Sequence, residues 1–141
     1  MPRRLHTMPS IFLIENDDAV REVIRVALMA AGYSIQEATN GRQGINSFRK
    51  APTDLVITDI YMPDRDGLEV IEALRRTHPA VKILAISGAS GSMNYLRKAE
   101  ALGADRVLAK PLSMSTVLRV VSELLGKSDD PAMPETSDSS V

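Results

Sequence analysis

The sequence predicts an α/β domain built on a parallel sheet with helices on both faces. Two observations carry this. Short apolar runs alternate with amphipathic segments five times across about 115 residues, with short connections throughout. The clearest of those runs, Leu55-Val56-Ile57, is apolar at consecutive rather than alternate positions, as expected of a strand buried on both faces. Such alternation implies right-handed crossovers, so all strands point the same way.

The elements follow in order. Ser10 to Ile14 is strand-like and ends in the polar cluster Glu15-Asn16-Asp17-Asp18, where Asp17 or Asp18 caps the next helix. That helix places Val20, Val23, Ile24, Ala27, Leu28 and Ala31 inward and turns Arg21, Glu22 and Arg25 outward, with Gly32 ending it. Tyr33 to Ala38 alternates and suits an outer strand. Asn40-Gly41 makes a turn before a weaker helix with Gly44, Ile45 and Phe48 inward, closing at Ala51-Pro52. The central strand Leu55–Thr58 ends in Asp59, because Pro63 cannot continue the ladder. Leu68, Val70, Ile71, Ala73 and Leu74 define a third helix, stopped at His78-Pro79. Val81 to Ile86 is a fourth strand, a helix runs from about Ser92 to Leu102, and Arg106 to Ala109 is a short fifth strand. The last helix, Ser115 to Leu125, turns Val117, Leu118, Val121, Leu124 and Leu125 inward.

Composition narrows the function classes. Seventeen Lys and Arg balance eighteen Asp and Glu, so no global basic field attracts nucleic acid, and Arg3-Arg4 is too short to do so. The absence of Cys excludes disulfides and thiolate metal sites. The N-terminus lacks a signal-peptide apolar region, and no apolar run approaches the roughly 18 residues of a membrane span. A cytoplasmic location is expected. Residues 1–9 read as an extension and 10–126 as one domain. Residues 127–141, with two prolines and four serines, read as a disordered tail or the start of a linker.

Chemistry converges at one sheet edge. The C-terminal tips of parallel strands lie together, which gathers Glu15 and Asn16, Asp59, Ser87 and Lys110. Acids with a hydroxyl and a lysine suit a hard divalent cation beside an anion such as a phosphate. Carboxylates also act as nucleophiles, forming aspartyl phosphates.

With the acidic cluster after the first strand, Asp59 followed by Met62-Pro63 and Asp66-Gly67, Ser87 before a small residue, and Lys110-Pro111, the chain resembles the receiver domain of two-component response regulators. The resemblance covers Ser10 to Gly126. It implies a CheY-like, flavodoxin-like (βα)5 fold with strand order 2-1-3-4-5, and a phosphorylation-controlled signalling switch rather than an enzyme with a separate substrate. Asp59 would accept a phosphoryl group from a histidine kinase or histidine phosphotransfer protein. Self-catalysed phosphoryl transfer and dephosphorylation come with the family. Glu15, Asn16, Asp59 and the backbone carbonyl of Tyr61 would hold Mg²⁺, while Ser87 and Lys110 would bind phosphoryl oxygens. A downstream protein, or a second copy in a homodimer, would meet the surface of the fourth helix, fifth strand and fifth helix, with Met93, Tyr95 and Leu96 as candidate contacts. No direct nucleic-acid or membrane partner is implied.

Three positions depart from the family pattern. Asn16 stands where an Asp is usual, so the metal site loses a charge. Val107 and Leu112 stand where aromatics are frequent, so a switch has no ring to swing at residue 107 and relies on Ser87 and the fourth helix. Tyr61 could shield an acyl phosphate, and His6 and His78 read as solvated. Rival readings fare worse. A haloacid-dehalogenase phosphatase needs an acid where Tyr61 stands, and a nucleotide or flavin module needs a Gly-rich loop after the first strand. A pseudo-receiver acting as a phosphorylation-independent interaction module is the remaining alternative.

Overall fold

A computed structural model describes residues 8–60, 67–88 and 93–126, and the side chains of 93–95 lie outside that description. Five parallel strands, β1 (Ser10–Ile14), β2 (Ser34–Ala38), β3 (Leu55–Asp59), β4 (Lys82–Ser87) and β5 (Arg106–Ala109), form one sheet in the order β2-β1-β3-β4-β5. Five helices connect them: α1 (Asp18–Ala30), α2 (Gly41–Lys50), α3 (Gly67–Thr77), α4 (Met93–Leu102) and α5 (Met114–Leu124).

The consecutive apolar residues of the inner strands supply two cores at once. Phe12, Ile14, Val56, Ile83 and Ala85 face α2, α3 and α4. Ile11, Leu13, Leu55, Ile57, Leu84 and Ile86 face α1 and α5. All five residues of β3 are buried, as its unbroken apolar run requires. The edge strand β2 is only partly covered, in keeping with its alternating sequence. Among the described residues no helix is long and apolar enough to cross a membrane.

Several local expectations are corrected. Val23 does not face inward; it is 52% exposed, and with Val26 and Met29 it leaves an apolar stripe on the outside of α1. Ala31 is exposed too and serves as the C-cap, followed by Gly32 at φ +98°. Arg21 turns inward instead, because its guanidinium finds Glu37 on β2, Asp18 and the Glu15 carbonyl. Asn40 caps α2 by accepting from the Gln43 amide, with Gly41 already helical. His78 is half-buried, its ring edge-on to Phe48 with centroids 4.8 Å apart and its Nδ1 2.9 Å from the Thr77 hydroxyl.

The sheet edge opposite the strand tips is tied by Arg75. Its guanidinium donates to the carbonyls of Gly103, Pro79 and Val81 and to Asp105 Oδ2, which also accepts from the Ile83 amide. One α3 side chain thus joins the start of β4 to the α4–β5 turn.

Candidate functional site

Glu15 continues β1 by one residue, its amide donating to Ala38 of β2. Its side chain is 1% exposed, with Oε2 accepting from the Asp17 amide at 3.0 Å. Burial, and next the charge of Asp59, push the Glu15 carboxyl above the usual carboxylate range, against the Asp17 amide and Lys110. Asp17 is the α1 N-cap, its Oδ1 accepting from the Val20 amide, and Asp18 pairs with Arg21. Asn16 is exposed on the same turn.

Asp59 ends β3 in register with Ile86 of β4 and is 4% exposed. The chain then packs back on itself. Gly67, at the start of α3, donates to the Ile60 carbonyl at 3.2 Å. A Cβ on Gly67 would lie 2.2 Å from the Asp59 carbonyl oxygen and 2.3 Å from Ile60 Cα, so only glycine fits there. This close approach seats the N-terminus of α3 against the strand tip that carries Asp59.

Ser87 ends β4, fully buried, and its Oγ has no hydrogen-bond partner among the described residues. Its carbonyl accepts from the Lys110 amide at 2.8 Å, which brings the residue after β5 alongside. The Lys110–Pro111 peptide is cis. From there Lys110 Nζ reaches Asp59 Oδ2 at 3.0 Å and both Glu15 oxygens at 3.3 Å. Burial of Lys110 works to lower its pKa, but the hydrogen bond to Asp59 and the charges of Asp59 and Glu15 outweigh it and raise the value. Glu15 Oε1, although close to the ammonium, accepts no hydrogen bond among the described residues.

Glu15, Asp59 and Lys110 therefore form one ion-paired cluster, with Ser87 on the strand between β3 and β5 and Asn16 at the exposed margin. Tyr61, Met62, Pro63 and Asp66 lie outside the described residues, as do the side chains of Met93 and Tyr95. Among the described residues no three His, Cys, Asp or Glu side chains gather as a metal cage. Two buried carboxylates, one with an oxygen that accepts no hydrogen bond among the described residues, nevertheless provide the hard oxygen donors that suit Mg²⁺. Sequence reasoning did not anticipate the Lys110 bridge to Glu15, nor the outward apolar stripe of α1.

The chain belongs to the response regulator receiver domain family, whose model matches residues 11–122. It is 34% identical to the response regulator MprA of Mycolicibacterium vanbaalenii over 82% of this chain and 49% of that one. Among solved structures, chemotaxis protein CheY4 of Vibrio cholerae is 26% identical with a TM-score of 0.78, covering 84% of this chain and all of that one. Response regulator protein TrrA of Thermotoga maritima, solved in complex with Mg²⁺-BeF, is 30% identical with a TM-score of 0.76 at the same coverage. The chain spans about half or less of the length of the curated relatives it matches. It is a signalling domain of the two-component kind.

Proposed function

We propose that this domain is a phosphorylation-controlled switch in the cytoplasm, with residues 10–126 as the receiver unit and Asp59 as its phospho-acceptor. The observation that carries this reading is the Lys110 ammonium 3.0 Å from Asp59 Oδ2, with the buried Ser87 hydroxyl, unpaired among the described residues, at the tip of the neighbouring strand. An Asp59 oxygen attacks the phosphorus of a phosphohistidine on a histidine kinase or histidine phosphotransfer protein. The P–N bond breaks, its electron pair stays on the imidazole nitrogen, and that nitrogen takes up a proton. Lys110 offsets charge on one phosphoryl oxygen and the Ser87 hydroxyl donates to another, which is electrostatic stabilisation of a transfer that needs little covalent help.

Glu15, Asp59, the Asn16 amide and the Tyr61 carbonyl would hold Mg²⁺, which supplies further positive charge to the transferring group. That TrrA was solved in complex with Mg²⁺-BeF supports Mg²⁺ as the ion. The same constellation returns the phosphoryl group to water and so resets the switch.

A donor has a surface to dock on. A groove of about 500 Å³ between Val20, Val23, Ile24, Pro111, Leu112 and Met114 opens beside Lys110 and continues into the exposed stripe of α1. Output runs through α4, β5 and α5 to a protein partner or a second copy. Val107 is half-buried and packs on the same core cluster as Leu96 and Leu102 of α4, so the change passes from Ser87 to α4 with no aromatic swing at that position.

Incubation with Mg²⁺ and a small phosphodonor, followed by intact-mass measurement, tests the reading. One added phosphoryl group is expected on the wild type and none on Asp59→Ala. Equal labelling of both, or of neither, would refute it.

A further inference from the structure

Each helix runs antiparallel to the strand it follows, so helix C-termini and strand starts share the pole opposite Asp59. That pole holds a pocket of about 430 Å³ between the ends of α2 and α3. Its walls are Phe48, Pro52, Pro79, Ala80 and Val81, with His78 edge-on to Phe48. Asp54 is its one carboxylate among the described residues, and Oδ2 of that group already accepts from the Ser10 amide and hydroxyl. Exposed cations stand next to these walls. Arg49 and Lys50 close α2, Arg76 lies in the last turn of α3, and Lys82 opens β4. Arg75 and Arg106 at the same pole are paired with Asp105 and Glu123, but among the described residues those four have no carboxylate partner. An apolar recess ringed by four uncommitted positive charges suits an acidic segment with one apolar anchor.

We infer that residues 128–135 of this same chain are that segment. Ser128-Asp129-Asp130-Pro131-Ala132-Met133-Pro134-Glu135 carries three acids and no base. Met133 is the sole large apolar side chain between Lys127 and Ser140, and a flexible thioether fills an irregular recess well. Asp129 and Asp130 precede this anchor and Glu135 follows it, so negative charge flanks it on both sides. The chain also leaves the domain at this pole. Leu124 and Leu125, at the end of α5, pack on the same core cluster as Leu55, and Asp54, one residue before Leu55, lines the pocket. Seven residues from Gly126 to Met133 reach about 24 Å when extended. That is enough to pass beneath the start of β3 from one helix layer to the other, a helix being about 10–12 Å across. Exposed ion pairs contribute little in isolation, but the tether raises the local concentration of the segment to the order of millimolar. Docked, the segment fixes the path of the chain beyond α5 and closes the pocket to acidic segments of other proteins.

The chain has no cysteine, so Ser137→Cys takes a single nitroxide label a few residues beyond the anchor. In amide NMR spectra of the labelled full chain, signals of residues 48–54 and 77–82 are expected to lose at least half of their intensity, while those of Val23, Val26 and Met29 keep theirs. Met133→Asp should abolish the selective loss. Lys50→Glu combined with Lys82→Glu should reduce it at least twofold, as should about 1 M salt, and both lysines are exposed, so the fold tolerates the change. Uniform weak broadening over the whole surface, selective broadening on the outside of α1, or a pattern that survives Met133→Asp overturns the proposal. The same broadening in a mixture of isotope-labelled chains lacking the nitroxide with unlabelled chains carrying it would place the segment on a second copy and overturn docking within one chain.

Discussion

Replacing Gly67 by alanine puts the link between α3 and the Asp59 strand tip to a sharp test. The new methyl carbon would sit 2.2 Å from the Asp59 carbonyl oxygen, more than an ångström inside the 3.4 Å at which ordinary contact begins. Both near atoms are backbone, so no side chain can rotate out of the way. Either α3 lifts from the sheet or the end of β3 moves. Overpacking of this kind costs about 1–3 kcal/mol. Alanine gives back up to about 1 kcal/mol through its better helix propensity, less so at a first helical position. A net loss of about 2 kcal/mol corresponds to a melting temperature lower by roughly 8 °C for a domain of this size. The displaced atoms belong to the proposed phospho-acceptor, and misplacement by about 1 Å slows catalysed transfer on the order of a hundredfold. Urea denaturation gives the stability, and the rate of mass gain with a small phosphodonor gives the transfer. A variant within about 0.5 kcal/mol of wild type, the ordinary range for neutral surface changes, with an unchanged labelling rate would refute the reasoning.

Three other perturbations separate the contributions. Asn16→Asp adds a charge at the exposed margin of the cluster. A unit charge at about 4 Å is worth up to about 4 kcal/mol at an effective dielectric near 20, so after solvent screening roughly three- to thirtyfold tighter Mg²⁺ binding is expected by calorimetry, and equal affinities contradict it. Glu15 holds its proton more tightly in the folded state than in the unfolded chain. In chelator its contribution is therefore fully present below the ordinary glutamate value near 4.5 and is lost as pH rises through the raised folded value. Glu15→Gln should then gain stability on wild type as pH rises from acid to neutral, and a gap between the two that does not change with pH opposes the account. Arg75→Ala strips charged donors from the Gly103, Pro79 and Val81 carbonyls at the far sheet edge. It should cost about 2–3 kcal/mol in urea melts while leaving the affinity for Mg²⁺ unchanged.

The sheet was legible because β1, β3 and β4 are consecutive apolar runs, a pattern that only strands covered on both faces need. The gathering of Glu15, Asp59, Ser87 and Lys110 at one edge followed from parallel strands sharing a direction, so naming the strand ends was enough. Side-chain orientation was harder to read. On α1, apolar residues occupy more than one face, and periodicity alone assigned Val23 to the core although Ile24 and Leu28 fill it. Arg21 reads as a surface charge, whereas its guanidinium turns to the Glu15 carbonyl and to Glu37 on β2; Arg75, which no sequence pattern singles out, reaches the Gly103 carbonyl 28 residues on. Gly67 and Gly88 stand in the motifs that carry the resemblance, but the close approaches that need them small join backbone or lysine stem atoms brought together only by the crossovers, and no sequence pattern shows those contacts. For the same reason, nothing in the order of residues revealed that Lys110 reaches Glu15.

The central claim is that Asp59 is the acceptor and that Lys110 and Mg²⁺ support the transfer to it. Borohydride reduction of the phosphodonor-treated protein, followed by peptide mass analysis, converts an aspartyl phosphate to homoserine and so marks the residue. The account predicts the mark at Asp59, dependent on Mg²⁺ and strongly reduced in Lys110→Met. A mark at another residue, or one at Asp59 that forms equally well without Mg²⁺ and without the lysine, would contradict it.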